Sequence, residues 1–311
     1  MNAEAELSRH ATQRPTVLSV GVFDGVHLGH QALLALLRAE AARRGYAPGV
    51  VTFTTHPRAV LNPSLSLRYI TPLAERLRLL QGAGMECLVP ITFTQELSRL
   101  SAREFVELLR RYLNMQGMVV GPGFALGHQR QGTEAVLRQI GEEMGFFVRT
   151  VEPLVLGGER VSSTAIRNGL EKGDVAGVAR LLGRRFRLTG VVVRGEGRGA
   201  SLLGFPTANL QVPAECITPA DGIYATWALA DGQWHKSATS IGVRPTFDGQ
   251  RRTIEAFVMD FSGDLYSREL SLGFAARLRD EQRFDSPEAL RQQMERDVEQ
   301  ARRVLDSASP M

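Results

Sequence analysis

"GVFDGVHLGHQALL", residues 21–34, decides how the first half of the chain is read. An apolar run ends at Phe23; Asp24, Gly25, His27, Gly29 and His30 follow before a stretch with helical spacing. Two imidazoles with a glycine between them thus sit where a strand gives way to a helix. A helix N-terminus offers unpaired N–H groups and a partial positive charge, both of which attract phosphate. Gly25 and Gly29 let a phosphate approach the backbone, and His27 and His30 can each donate a ring N–H to it. Donors of this kind act most strongly where charge grows in a transition state. That suits attack on an α-phosphate with pyrophosphate leaving. Two other readings stay open at this level: a metal pair, which wants about two further ligands, and two ordinary polar loop residues.

Outward from this stretch, residues 16–156 alternate between short β-branched runs and longer helical ones. The runs are Thr16–Phe23, Gly49–Phe53, Cys87–Ile91, Met118–Gly121 and Phe146–Thr150. Helical spacing covers His30 to Arg44 and stops at Gly45. It resumes after Thr71-Pro72, read as an N-cap with proline at the first helical position. Ser101-Ala102-Arg103-Glu104 has the capping-box pattern, and a fourth helix starts near Thr133. The alternation predicts a parallel sheet with helices on its faces. Ligands in such folds sit beyond the carboxyl ends of the strands, where "GVFDGVHLGH" falls.

Residues 162–182 read as helical, with Asp174 capping "VAGVARLL" and Gly183 ending it. Strand-like runs then dominate: Phe186–Arg194, Gly222–Leu229, Trp234–Ile241, Arg252–Phe261 and Glu269–Ala275. They predict a small antiparallel β-barrel. A helix opening at Ser286-Pro287 closes the chain, its Leu290, Met294, Val298 and Leu305 forming a stripe for core packing. The expected organisation is a loose tail over 1–15, an α/β domain over 16–183 and a β domain over 184–311.

Composition supports two domains: 311 residues are 43% hydrophobic. Lys+Arg 37 against Asp+Glu 33 gives +4, spread along the chain. This suits polyanionic small molecules better than nucleic acid, which favours clustered basic stripes. RNA binding by the barrel is a rival class, but its strands lack an aromatic stacking platform. No apolar run reaches about 18 residues, so no membrane span is expected. The first residues lack a signal-peptide pattern. Cys87 and Cys216 lie far apart and form no disulfide framework, which points to the cytoplasm. Nothing in the sequence reads out the oligomeric state.

"VSSTAIRNGL", residues 161–170, is a second candidate element. Ser162, Ser163 and Thr164 precede a helix, and Arg167 lies one turn in. Their hydroxyls and N–H groups could hold β- and γ-phosphates, with Arg167 forking onto the leaving group. A plain hydroxyl N-cap with a solvated arginine fits as well.

"GVFDGVHLGH", "TFTTHP" and "VSSTAIR" together resemble the adenylyltransferase module of the prokaryotic bifunctional riboflavin kinase/FAD synthetase family. That module belongs to the nucleotidyltransferases with a His-x-Gly-His loop and a Rossmann-like parallel sheet. The resemblance implies that Gly21, Phe23, Asp24, Gly25, His27, Gly29 and His30 surround ATP phosphates. It makes Ser162, Ser163, Thr164 and Arg167 a second ATP clamp, and sets His56, Pro57 and Phe124 near flavin and nucleotide. Within residues 119–133, Phe124, Gly127, Arg130 and Gly132 follow the family, whereas Gly123, Ala125 and Thr133 depart from it.

"RGEGRGASLLGFPTANL", residues 194–210, mimics two nucleotide loops and is neither. Gly195, Gly197 and Ala200 satisfy a loose G-x-G-x-x-A, but Gly204 and Pro206 argue against the helix that must follow. Gly199 and Gly204 have Walker A spacing, yet Phe205-Pro206 stand where Lys-Ser/Thr belongs. What remains is a glycine-rich loop able to wrap phosphates. Thr207 and Asn209 follow as two oxygen donors on one face of an extended segment, which suits Mg²⁺. In "RRTIEAFVMDF", residues 251–261, a period of two puts Glu255 on the face of Phe257 and Met259. A carboxylate on an apolar face gains the raised pKa a general base needs. An exposed carboxylate on an edge strand fits the pattern too.

"GFPTAN", "DGIYAT", "SIGVRPTF", "IEAFVMDF" and "RLRDEQRF" follow, in order, the riboflavin kinase module of the same family. That resemblance implies Mg-ATP binding by Gly195, Gly199, Gly204, Pro206, Thr207 and Asn209. It makes Glu255 the base for the ribityl 5′-hydroxyl and sets Arg279 near the flavin. Phe257 stands where the family often has histidine. The implied activity is ATP-dependent phosphorylation of riboflavin to FMN, then adenylylation of FMN to FAD with release of pyrophosphate. Mg²⁺ serves both steps. The narrower expectations are a kinase with weak or lost adenylylation, and a related nucleotidyltransferase with another substrate.

Overall fold

Thr16–Gly21 forms β1, the central strand of a five-stranded parallel sheet in the order β3-β2-β1-β4-β7. The computed structural model describes residues 3–194, 205–246 and 249–310, which divide into two units, 1–163 and 164–311. In the first unit β1 is followed by α2 (Leu28–Arg44), β2 (Ala47–Phe53), α3 (Pro57–Leu61), α4 (Leu73–Gly82) and β3 (Cys87–Ile91). Then come α5 (Ala102–Leu113), β4 (Met115–Val120), the short β5 (Ala125–Leu126) and β6 (Gly132–Thr133), α6 (Glu134–Met144) and β7 (Phe147–Thr150). The hairpin of β8 (Val155–Leu156) and β9 (Glu159–Arg160) leads to α7, Ser163–Glu171.

The strands read as continuous apolar runs because both faces of the sheet are covered. Val17, Val50 and Val119 meet Leu34, Leu37 and Leu80 of α2 and α4 on one face. Leu18, Val20, Val51 and Met118 meet Val106, Leu109 and Ile140 of α5 and α6 on the other. The chain runs from β1 outward to β2 and β3, then returns to the far side of β1 for β4. The order therefore reverses between β1 and β4, and a crevice opens beyond their carboxyl ends at such a switch point.

Local signals account for most element ends. Ser101 and Glu104 form the expected capping box on α5. Gly45 closes α2 in the left-handed conformation at φ 69°. Three local expectations are corrected. The first fifteen residues are not a loose tail throughout: Ala3–Ser8 form α1, with Leu7 fully buried and Glu6 accepting from the Thr92 N–H at 2.7 Å. Thr71 does not cap α4; Pro72 holds that position and no side chain caps the helix there, while the Ile70 and Thr71 N–H groups serve Asp24. The single helix over 162–182 is two, α7 and α8 (Val175–Leu182), broken at Gly173 with φ 74°.

The second unit is a closed antiparallel barrel in the order β10-β11-β14-β13-β12-β15, with β10 and β15 paired to close it. Its strands are β10 (Arg187–Val193), β11 (Ala208–Gln211), β12 (Gly222–Ala230), β13 (Gln233–Thr246), β14 (Gly249–Val258) and β15 (Glu269–Arg279). Tyr224, Thr226, Thr239, Ala256, Leu272 and Phe274 are fully buried and fill the interior. The last helix, α9 (Pro287–Asp306), is capped by Ser286 and packs Ala301 and Leu305 against Trp227 and Ala238. This is the core packing expected of the stripe. No helix among the described residues is long and apolar enough to cross a membrane.

Candidate active sites

The loop after β1 is a tight turn. Phe23, Gly25 and Val26 all have positive φ, at 54°, 86° and 37°. Only glycine adopts such angles readily, so Phe23 and Val26 hold strain, which persists where the surroundings over-determine the backbone. Both side chains are buried in the core beneath. His27 is the N-cap of α2: its Nδ1 accepts the His30 N–H at 3.2 Å. An imidazole that accepts at Nδ1 carries its proton on Nε2, so Nε2 of His27 is the ring's donor. Its ring stacks on that of His30 at 3.7 Å, with 15° between the planes. His30 is held well below the usual imidazole range, chiefly by burial, then by His27 and by Arg76. It is neutral at pH 7.

Gly29 has a sharper job than admitting phosphate. A Cβ there would lie 3.2 Å from Cε1 and Nδ1 of His27, so its absence lets the capping ring lie flat. Asp24 faces protein backbone: its two carboxylate oxygens accept from Ile70 and Thr71 N–H at 3.1 and 3.0 Å. The Ser163 hydroxyl donates to the Asp24 carbonyl at 2.8 Å and fixes the start of α7 beside the loop. Ser162 lies just before α7, and Thr164 and Arg167 lie on its first turns.

His56 repeats the device of His27. It caps α3, its Nδ1 accepting the Arg58 N–H at 3.1 Å, with Pro57 at the first helical position. Phe124 follows β4, half-buried against the α5–α6 core, and Arg130 donates to the Gly123 carbonyl at 3.0 Å. The loops after β1, β2 and β4 thus carry His27, His56 and Phe124 at the same edge of the sheet.

In the barrel, Asn209 on β11 stands directly opposite Glu255 on β14. The Thr207 hydroxyl donates to Glu255 Oε2 at 3.3 Å. On β14 the buried set is Ile254, Ala256 and Val258, so Glu255 does not share the inner apolar face. It lies on the outer one, with Phe257, opposite Ser240 of β13; Met259, expected on that same strand face, lies beyond the strand end. Phe257 meets Phe205 edge-on at 5.1 Å, next to Pro206 and Thr207. Pro206, Thr207 and Ala208 also line a cleft of about 140 Å³ with Phe261, Asp264 and Tyr266. Arg279 forks onto Asp297 of α9 at 2.8 and 2.6 Å, so it ties the last strand to the last helix. Gly195, Gly199 and Gly204 lie outside the described residues.

Three oxygen groups at Thr207, Asn209 and Glu255 are the hard donors that Mg²⁺ prefers. The histidine pair lacks that character, and no group of three His, Cys, Asp or Glu side chains placed to hold a metal ion occurs among the described residues.

Sequence reasoning missed Arg76. It lies on α4, only 1% exposed, and donates to the carbonyls of Val22 at 2.7 Å and Phe53 at 3.0 Å. It also missed Tyr69, whose hydroxyl accepts the His56 N–H at 2.9 Å. An arginine on an amphipathic helix reads as surface, and no local spacing marks these two.

Comparison with known proteins agrees with this arrangement in both halves. A family model described as FAD synthetase matches residues 9–165, and one described as riboflavin kinase matches residues 182–305. The bifunctional riboflavin kinase/FMN adenylyltransferase of Pseudomonas fluorescens is 40% identical over 291 residues, covering 93% of each chain. That of Escherichia coli K12 is 34% identical over 302 residues, 96% of each, and that of Bacillus subtilis 32% identical over 300 residues, 95% of this chain and 94% of its own. A solved structure described as a macrolide-efflux protein from Streptococcus pneumoniae matches with TM-score 0.87 and 31% identity, over 94% of this chain and 95% of its own. With a histidine-capped loop on a parallel sheet, a Thr-Asn-Glu cluster on a closed barrel, and full-length relatives at this level of identity, the chain belongs to the bifunctional riboflavin kinase/FMN adenylyltransferase family.

Proposed function

We propose that the family's two activities are divided between the parallel-sheet part and the barrel part of the chain, and that the clusters described above carry them. The chain converts riboflavin to FMN and FMN to FAD. ATP is the donor in both steps, and the cytoplasm is the compartment. Riboflavin, FMN and ATP are the partners this reading requires; nucleic acid and membrane are not among them. The domain limits are 16–183 and 184–311.

In the barrel, the ribityl 5′-hydroxyl of riboflavin attacks the γ-phosphorus of ATP. The O–P bond to FMN forms, the bond to ADP breaks, and Glu255 takes the hydroxyl proton. Thr207 orients that carboxylate through its donated hydrogen bond at 3.3 Å. Thr207 and Asn209 would hold Mg²⁺, which when bound neutralises charge on the transferred phosphoryl group. Gly195, Gly199, Gly204 and Pro206 would wrap the ATP phosphates. Arg279 acts on the flavin side by holding α9 in place.

On the parallel sheet, an FMN phosphate oxygen attacks the α-phosphorus of a second ATP and pyrophosphate leaves. His27 donates from Nε2 to a phosphate oxygen, and neutral His30 donates a ring N–H. His30, kept neutral by burial, meets growing negative charge without the cost of burying a cation. Ser162 and Ser163, with Thr164 and Arg167 following on α7, receive the β- and γ-phosphates. His56, Pro57 and Phe124 meet flavin and nucleotide. Gly21, Phe23, Asp24 and Gly25 shape the loop.

The observation that supports this reading most directly is the stacked pair of His27 and His30 at the mouth of α2. The experiment is a product assay on riboflavin, ATP and Mg²⁺. His27→Ala with His30→Ala abolishes FAD formation and spares FMN formation. Glu255→Gln abolishes FMN formation and spares FAD formation from supplied FMN. Loss of both products in both variants overturns the division.

A further inference from the structure

We propose that Arg76 is a positioning residue for adenylyl transfer, tying the strand ends that lead to the two capping histidines into one rigid frame. The inference rests on the assignment of His27 and His30 to the adenylyl site.

Val22 is the first residue after the extended part of β1, and its chain leads to His27. Phe53 ends β2, and its chain leads to His56. At these points the parallel ladder stops and the loops begin. One guanidinium bridges the two carbonyls, Nη1 to Val22 at 2.7 Å and Nη2 to Phe53 at 3.0 Å. Thr52 adds a second bond to the Val22 carbonyl at 3.1 Å. The same short segment meets both loops again. The Tyr69 hydroxyl accepts from His56 N–H at 2.9 Å, and the Ile70 and Thr71 N–H groups hold Asp24. Arg76 therefore completes a clamp whose two sides carry the two histidines.

Stability alone does not account for an arginine here. A buried cation costs several kcal/mol in desolvation, and an apolar side chain of similar volume serves a core as well or better. Burial pulls the Arg76 guanidinium below its ordinary range, opposed by Asp24 and Tyr69, and its Nε finds no partner among the described residues. Two carbonyls on two strands need a planar fork, which lysine lacks. The fork also sets a fixed positive charge near His30, in the direction that keeps that ring neutral. A reaction run by positioning and electrostatics is sensitive to this kind of frame.

The test uses the full chain and reads kcat and KM for FMN adenylylation, riboflavin phosphorylation, and thermal unfolding. Arg76→Met lowers adenylylation kcat about 100-fold, the cost of an ångström-scale misplacement, while KM for ATP and FMN changes less than about threefold because binding contacts remain. Arg76→Lys keeps charge but one contact, and recovers about tenfold of that loss. Tyr69→Phe removes only the hydroxyl at His56 and lowers kcat about threefold. Riboflavin phosphorylation stays at the wild-type rate in all three. If Arg76→Met does not fold, Arg76→Lys and Tyr69→Phe decide the matter. Wild-type kcat in both of those, or a lowered melting point with wild-type kcat, overturns the proposal. The His27→Ala, His30→Ala double variant is run beside them. If it keeps adenylylation, the site assignment fails; if it loses it while the Arg76 variants do not, the positioning role alone fails.

Discussion

Gly29→Ala separates fold from chemistry within one residue. The added methyl would sit 3.2 Å from Cε1 and Nδ1 of His27 and 3.4 Å from the Val161 carbonyl oxygen. The ring cannot simply withdraw. Its Nδ1 is bound to the His30 N–H at 3.2 Å, and its face lies on His30 at 3.7 Å. It must shift by a few tenths of an ångström and loosen the cap. Alanine gains about 0.8–1 kcal/mol over glycine inside a helix, and overpacking returns about 1 kcal/mol or slightly more. Net stability therefore stays near that of wild type. Since a 1 Å misplacement costs about 100-fold, a shift of a few tenths lowers adenylylation kcat about three- to tenfold. Both activities are measured on one preparation, with a melting curve. Unchanged adenylylation refutes the argument. So does a melting point lower by more than about 8 °C, since a unit of this size moves about 2–4 °C per kcal/mol.

Other perturbations separate the remaining roles. Asp24→Asn sets an amide N–H against a backbone N–H in a buried site and costs about 3 kcal/mol. Thermal inactivation of adenylylation then comes about 6–12 °C lower, whereas a raised KM for ATP at an unchanged midpoint would contradict the backbone-anchoring role. His30 is depressed by burial first, then by His27 and Arg76, so the unfolded chain binds the extra proton. Its contribution is fully present above about pH 6.5 and is lost as pH falls toward the folded pKa, at up to about 1.4 kcal/mol per pH unit. Urea unfolding of wild type and His30→Gln across that window checks this; parallel pH slopes would sink it. Asp297→Asn strands the Arg279 guanidinium, which is 17% exposed, and costs about 3 kcal/mol. Glu299→Gln on the exposed pair with Arg303 costs under about 0.5 kcal/mol. Both are read by fluorescence of Trp227 and Trp234, the only tryptophans, which lie in the barrel unit. Equal effects would contradict the ranking.

The alternation of runs and helices was legible because it rests on periodicity, and β3 appears over Cys87–Ile91 as read. So was the place of the histidine loop at the end of β1, whereas Asn209 and Glu255 meet only through the pairing of β11 with β14, which spacing does not carry. What escaped depends on tertiary pairing. Thr71-Pro72 looked like a cap and first turn, but α4 opens one residue later at Leu73, and the Thr71 N–H serves Asp24, far away in sequence. The face Glu255 shares with Phe257 followed from the period of two, but that this face is the outer one, under α9, follows from closure of the barrel. Tyr69, Arg76 and Asp297 carry polar signatures suited to a surface, and only the fold reveals what they hold. The short helix at the N-terminus has too few apolar residues to show a period.

The pairing of β11 with β14 has a consequence for folding. The alternation that turns Ile254, Ala256 and Val258 inward also sets Glu255 opposite Asn209 on the outside. Sliding either strand by one residue would exchange the two faces. The carboxylate would then point into the apolar interior, and the isoleucine out to water. A misaligned barrel thereby loses core burial and parts Glu255 from Thr207 and Asn209 together. Register thus ties the burial of the barrel's apolar face to the placing of Glu255 opposite Asn209, so that one cannot be lost without the other.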